Sequence, residues 1–119
     1  VVEFEAAPLT ATVDPTLMHS AIENIVRNAV QHSERTTSID LRRVDADAAV
    51  QLRVADDGPG LTDAADAGRL FEPFYTADAG VGIGIGLAIA RRAIELHGGT
   101  IRAENRAGGG LAVTVTLPA

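Results

Sequence analysis

Four glycines alternate with three aliphatic residues in Gly80-Val81-Gly82-Ile83-Gly84-Ile85-Gly86, and a helix-like run from Leu87 to His97 follows at once. Alternate glycines remove every second Cβ, so a phosphate can come close enough to meet the backbone N–H groups. The run ends where a helix begins, and helix N-termini attract anions through unpaired N–H groups and the macrodipole. A phosphate cradle at a helix entrance is the strongest constraint this chain carries. Its usual cation is absent, because all 10 basic residues are arginine, which excludes a Walker P-loop. No G-x-G-x-x-G occurs after Gly80, Gly82 or Gly84. A nucleotide site here belongs to a third kind.

The rest of the chain alternates short strand-like and long helix-like segments. Residues 1–6 alternate around Val2, Phe4 and Ala6 and predict a strand, with residues 10–13 as a short partner. Asp14-Pro15 is a helix start, an acceptor at the N-cap followed by proline. Leu17, Ala21, Ile25 and Ala29, with Ile22 and Val30 alongside, recur at helical spacing to about Ser33. Residues 38–44 and 50–55 predict strands joined by the turn Asp45-Ala46-Asp47. Residues 56–60 form a loop, 63–70 a short helix and 71–82 an irregular stretch. Residues 84–97 predict the second long helix, stopped by Gly98-Gly99. Residues 101–105 and 111–117 close the chain as a hairpin. The fold class is therefore α/β: one domain over residues 1–119, a two-layer sandwich whose mixed sheet is covered on one face by helices.

Three clusters invite chemistry, each with a plainer alternative. Asn24 and Asn28 share a face of the first helix, one turn apart. Their amide oxygens suit Mg²⁺, which takes only one or two protein groups; the alternative is a solvated polar stripe. Asp56-Asp57-Gly58-Pro59-Gly60 puts a carboxylate at a strand end with glycines beyond it, where a flat ligand can lie close. The same residues are what ordinary turns use. Leu70-Phe71-Glu72-Pro73-Phe74-Tyr75 holds three of the four aromatics and anchors a loop to the core. His19 and His97 have no neighbouring His, Cys or Glu at metal-ligand spacing and read as structural. A net charge of −6 argues against nucleic acid and anionic membrane surfaces as partners. The chain lacks cysteine, which fits the cytosol, and it shows no signal peptide and no apolar run long enough to span a bilayer. Its start at Val1 without Met suggests a domain of a longer chain.

In order, these pieces resemble the ATP-binding catalytic domain of bacterial sensor histidine kinases, within the gyrase–Hsp90–histidine kinase–MutL superfamily. The N box resembles residues 19–33, centred on Asn24-Ile25-Val26-Arg27-Asn28-Ala29; the first glycine box is Asp56 to Gly60. The F box is Phe71-Glu72-Pro73-Phe74-Tyr75, and the second glycine box is Gly82-Ile83-Gly84-Ile85-Gly86-Leu87. The resemblance implies a Bergerat-type fold and a site for ATP and Mg²⁺. Asp56 would accept from the adenine amine, with Gly58 and Gly60 letting the base lie against the backbone and His32 flanking it. Asn28 would hold the metal, with Asn24 beside it. Gly82, Gly84, Gly86 and Leu87 would meet the phosphates, and the segment from Phe71 through Phe74 to Val81 would form a lid.

The resemblance also implies a reaction, transfer of the γ-phosphoryl group to a histidine in a separate dimerisation domain of the full-length kinase, and then a response regulator downstream. The fragment itself is expected to be monomeric and cytoplasmic, the full-length protein membrane-anchored or not. ATPase and serine-kinase relatives carry a glutamate base where this chain has Asn24, which disfavours hydrolysis; no catalytic base is assigned, and Asn24 is the catalytic candidate. None of His19, His32 and His97 is followed by the acidic residue usual after the acceptor. Three departures weaken the phosphate contacts: Gln31 replaces a lysine, Asp78 a lid cation and Ile83 a threonine. The alternative function is thus a catalytically weakened nucleotide-binding regulatory module.

Overall fold

Asp14 and Pro15 start the first helix as predicted. In the computed structural model, which describes residues 2–5, 11–44, 48–61, 64–73 and 86–118, the Asp14 carboxylate accepts from the N–H groups of Thr16 and Leu17 at 2.9 and 3.1 Å. Helix α1 (Pro15–His32) buries Met18, Ala21, Ile25 and Ala29. The apolar stripe is therefore the predicted one except at its start, where Met18 is buried and Leu17 is 39 % exposed. Both choices satisfy helical spacing to Ala21, and Ile22 and Val30 also stay exposed.

Strand β1 (Val2–Glu5) runs parallel to β2 (Thr37–Val44), with α1 as the crossover between them. β2 pairs antiparallel with β3 (Ala49–Asp56), β3 with β5 (Leu111–Pro118), and β5 with β4 (Thr100–Asn105). The sheet order is β1-β2-β3-β5-β4. It is mixed, as expected, and among the described residues it has 5 strands; the sequence predicts an extra one over residues 10–13. Residues 11–13 carry no strand; Val13 packs on the core and Asp14 caps the helix, so this stretch serves the helix entry. The expected turn at 45–47 lies outside the described residues.

Helix α2 (Gly86–Leu96) buries Leu87, Ala90, Ala93 and Ile94 and packs beside α1. It ends in a Schellman turn, with Gly99 N–H donating to Ile94 O and Gly98 N–H to Glu95 O, both at 3.0 Å. The His97 ring clasps the two helices: Asp14 N–H donates to Nε2 at 2.9 Å, so the ring proton is on Nδ1, which bonds Ala93 O at 2.7 Å. The core lies between these helices and alternate strand residues, Leu52 and Val54 of β3 and Val113, Val115 and Leu117 of β5. A 3-10 segment (Ala64–Phe71) brings Leu70 and Phe71 into the same core.

Candidate functional site

Strand β3 ends on Asp56, a charged residue only 2 % exposed at the edge of the core. A carboxylate there needs donors. Oδ1 accepts from Gly58 N–H at 3.0 Å and Leu111 N–H at 3.2 Å, and the Asp56 carbonyl accepts from Arg106 Nη1 at 2.7 Å. The loop beyond it is pressed against the end of α1. A Cβ on Gly58 would sit 2.0 Å from His32 O, so only glycine permits this approach. Gly60 has φ 71°, a left-handed conformation that glycine adopts without strain.

The next residue, Asp57, faces the opposite way and caps the α1–β2 connection. Its two carboxylate oxygens accept from the N–H groups of Glu34, Arg35 and Thr36 at 2.8 to 3.1 Å. The Arg35 N–H foremost, then those of Glu34 and Thr36, holds the Asp57 carboxyl below its ordinary pKa, against an opposing effect of burial. Just behind, Ser33 Oγ donates to Thr36 O at 3.1 Å and lies 2.6 Å from Thr37 Oγ1. The loop 57–60 is thus fastened to α1 and β2 on one side.

The β4–β5 turn fastens it on the other. Asn105 Oδ1 accepts from Leu61 N–H at 2.8 Å and its Nδ2 donates to Leu61 O at 3.0 Å. A Cβ on Gly110 would lie 2.0 Å from Asp56 O, so the turn backbone touches the end of β3. Sequence reasoning missed these residues. The polar pair Asn105-Arg106 ahead of Gly108-Gly109-Gly110 was legible only as a hairpin turn.

On α1, half-buried Asn24 donates from Nδ2 to Ser20 O at 2.9 Å, and its Oδ1 lies 3.2 Å from where a Gly86 Cβ would stand. The Asn24 oxygen therefore abuts the first residue of α2, next to that helix's unpaired N–H groups. Asn28 is half-buried one turn further on, and His32 one turn beyond that. Asn24 also borders a cavity of about 500 Å³ on the α1 flank, lined with Thr16, Ser20, Glu23 and Arg27 among others. Glu23 points into this flank, 3.1 Å from His19 Nε2 and paired with Arg27, so His19 does have a Glu neighbour one turn on, contrary to the sequence reading.

The predicted residues Asn24 and Gly86 are thus brought together, as are Asp56, Gly58 and the His32 backbone. Leu87 and Phe71 are buried in the core. Phe74, Gly82 and Gly84 lie outside the described residues, as do Asp78 and Ile83. Among the described residues no group of three His, Cys, Asp or Glu is placed to hold a metal, so an ion here would rest on amide oxygens and its ligand. No helix among them is long and apolar enough to cross a membrane.

Residues 13–119 match the family model described as "Histidine kinase-, DNA gyrase B-, and HSP90-like ATPase". The sensor histidine kinase CpxA of Escherichia coli (strain K12) is 38% identical over 122 residues, covering 98% of this chain and 26% of CpxA. The C4-dicarboxylate transport sensor protein DctS of Rhodobacter capsulatus is 41% identical over 109 residues, covering 88% of this chain and 16% of DctS. The chain therefore spans about a quarter or less of the length of these relatives. Among solved structures, the mycobacterial sensor histidine kinase MprB matches with a TM-score of 0.87 at 27% identity, covering 98% of this chain and 83% of that one. Full-length ShkA, solved in complex with AMPPNP, matches with a TM-score of 0.82 at 29% identity, covering 98% and 25%.

Proposed function

This chain belongs to the histidine kinase-, DNA gyrase B- and HSP90-like ATPase family, and on that premise we propose that it binds ATP with Mg²⁺ and donates the γ-phosphoryl group to a histidine of a separate dimerisation domain. The acceptor domain and a downstream response regulator make it part of a two-component sensor kinase, working in the cytoplasm where ATP is supplied. The observation that carries this reading is Asp56. Both of its described carboxylate contacts end on Oδ1, which leaves Oδ2 to accept from the exocyclic amine of an adenine that would lie over Gly58 and Gly60, flanked by His32.

The phosphates then extend along α1 toward the start of α2. Gly86 and Leu87 offer N–H groups there, with Gly82 and Gly84 in the preceding loop. Mg²⁺ would neutralise phosphate charge, and the Asn28 amide oxygen, seconded by Asn24, would hold it from this chain. In the transfer, an imidazole nitrogen of the acceptor bonds to the γ-phosphorus as the bond to the β,γ-bridging oxygen breaks, and ADP leaves with that electron pair. Imidazole is itself a nucleophile, so no base is required from this chain. The geometry of Glu23 agrees with this: its carboxylate is engaged by His19 and Arg27 on the flank. Hydrolysis should be slow.

Calorimetric titration with ATP and ADP, with and without Mg²⁺, tests the reading. Both nucleotides should bind and Mg²⁺ should strengthen ATP; no binding of either would end it. Acid-labile, base-stable label should then appear on an added matching dimerisation domain and not on this chain. A second reading, a regulatory module with weakened catalysis, is favoured by exposed Gln31 on α1 in a chain without lysine. It predicts binding without transfer.

A further inference from the structure

The pairing of β3 with β5 stops at Ala55↔Ala112, and one more step of that register would set Asp56 opposite Leu111. The backbone bond that this step would form is replaced. Leu111 N–H donates to the Asp56 carboxylate, so a side chain has taken the place of the ladder acceptor. The displaced carbonyl of Asp56 accepts from Arg106 Nη1 at 2.7 Å instead. Gly110 lets the two backbones touch at this point, and Arg106 N–H donates to Gly110 O at 2.8 Å, closing the turn that carries the guanidinium. Remove the Arg106 donor and the carbonyl needs another partner; the nearest in the ladder is Leu111 N–H, which would then abandon the carboxylate.

We infer that Arg106 is a positioning residue that sets purine selectivity. By occupying the Asp56 carbonyl it keeps Leu111 N–H on Oδ1 and so fixes the direction in which Oδ2 points. Asn105 keeps the far end of the same loop in place through Leu61. The inference rests on the proposed adenine role of Asp56. A carboxylate held in one direction rewards an amine donor at purine C6 and repels a carbonyl there, so it selects ATP over ITP. A carboxylate free to turn discriminates less.

The test is the ratio of ATP to ITP affinity, measured by calorimetry on the whole chain. Arg106→Met keeps the apolar stem and loses the donor, and it should lower the ratio roughly five- to tenfold, the scale of one ordinary hydrogen bond. Arg106→Lys restores an N–H donor and should restore most of the ratio. Equal losses for ATP and ITP in the methionine variant, or a lysine variant no better than methionine, would overturn the inference. Asp56→Asn separates the two levels: if that variant keeps the wild-type ratio, the adenine role itself is wrong. The unaltered chain supplies a check that needs no variant. The Leu111 amide resonance should respond differently to ATP and to ITP, and identical responses would also overturn the inference.

Discussion

The two ends of the proposed site are built differently. Around Asp56, short side chains and backbone groups grip one another from three directions: Gly58 within the loop, the α1–β2 connection through Asp57, and the β4–β5 turn through Asn105, Arg106 and Leu111. Along the first half of α1 the contacts are long side chains on an exposed flank, with Glu23 shared between His19 and Arg27. Preorganised donors cost little to order when a ligand arrives, whereas exposed ion pairs are screened and each contributes at most about 1 kcal/mol. The base end should therefore carry specificity and the phosphate end should be tuned by ions.

The most direct way to break this contrast is Asp56→Asn, which puts an amide where the buried carboxylate stands. ADP affinity should fall by roughly 1–3 kcal/mol, nearly independent of salt. Unchanged calorimetric affinity in a folded variant would remove Asp56 from the base end. Next, Asn28→Ala should leave metal-free ADP binding near wild type and abolish the gain from Mg²⁺. A retained gain would place the ion elsewhere.

Asp57 sharpens the comparison through pH. Its folded pKa lies below the unfolded value of about 3.9, so its stabilisation is fully present above that pH and is lost as pH falls through the folded value. Asp57→Asn should melt below wild type at neutral pH, and the gap should close below about pH 4. A gap that persists in acid would mean the carboxylate charge is irrelevant. The smallest effect belongs to Gln31→Lys on the exposed side of α1. It should raise the ATP-to-ADP affinity ratio by no more than about 1 kcal/mol and lose that gain in high salt. A large, salt-insensitive gain would make the phosphate end as enclosed as the base end.

What could be read in the sequence was local. Asp14-Pro15 declares its helix because both cap and proline act within one turn, and Asn24 and Asn28 share a face by helical arithmetic alone. The strand expected over 10–13 was misread because a short alternating stretch looks the same whether it joins a sheet or leads into a helix. The start of the α1 stripe shifted from Leu17 to Met18 for a similar reason, two apolar neighbours each fitting the period. The grip of the β4–β5 turn was out of reach. It joins Leu61 to Asn105, and Asp56 to Arg106 and Leu111, across separations of 44, 50 and 55 residues. Periodicity does not extend over such distances, and nothing in Asn105-Arg106 announces which backbone it will meet.

The clasp of His97 between the helices has a consequence for phosphorus chemistry. An imidazole attacks through the lone pair of its unprotonated nitrogen. In His97 that lone pair, on Nε2, already receives the Asp14 N–H, while the proton on Nδ1 is directed at Ala93 O. Both in-plane positions of the ring are engaged, so His97 is not a ready acceptor for the proposed histidine phosphorylation. To become an acceptor through Nε2 it would first have to release the N–H of Asp14 at the start of α1. In the proposed transfer to a histidine of another domain, the bond that ties the ring to the start of α1 thereby keeps His97 from competing.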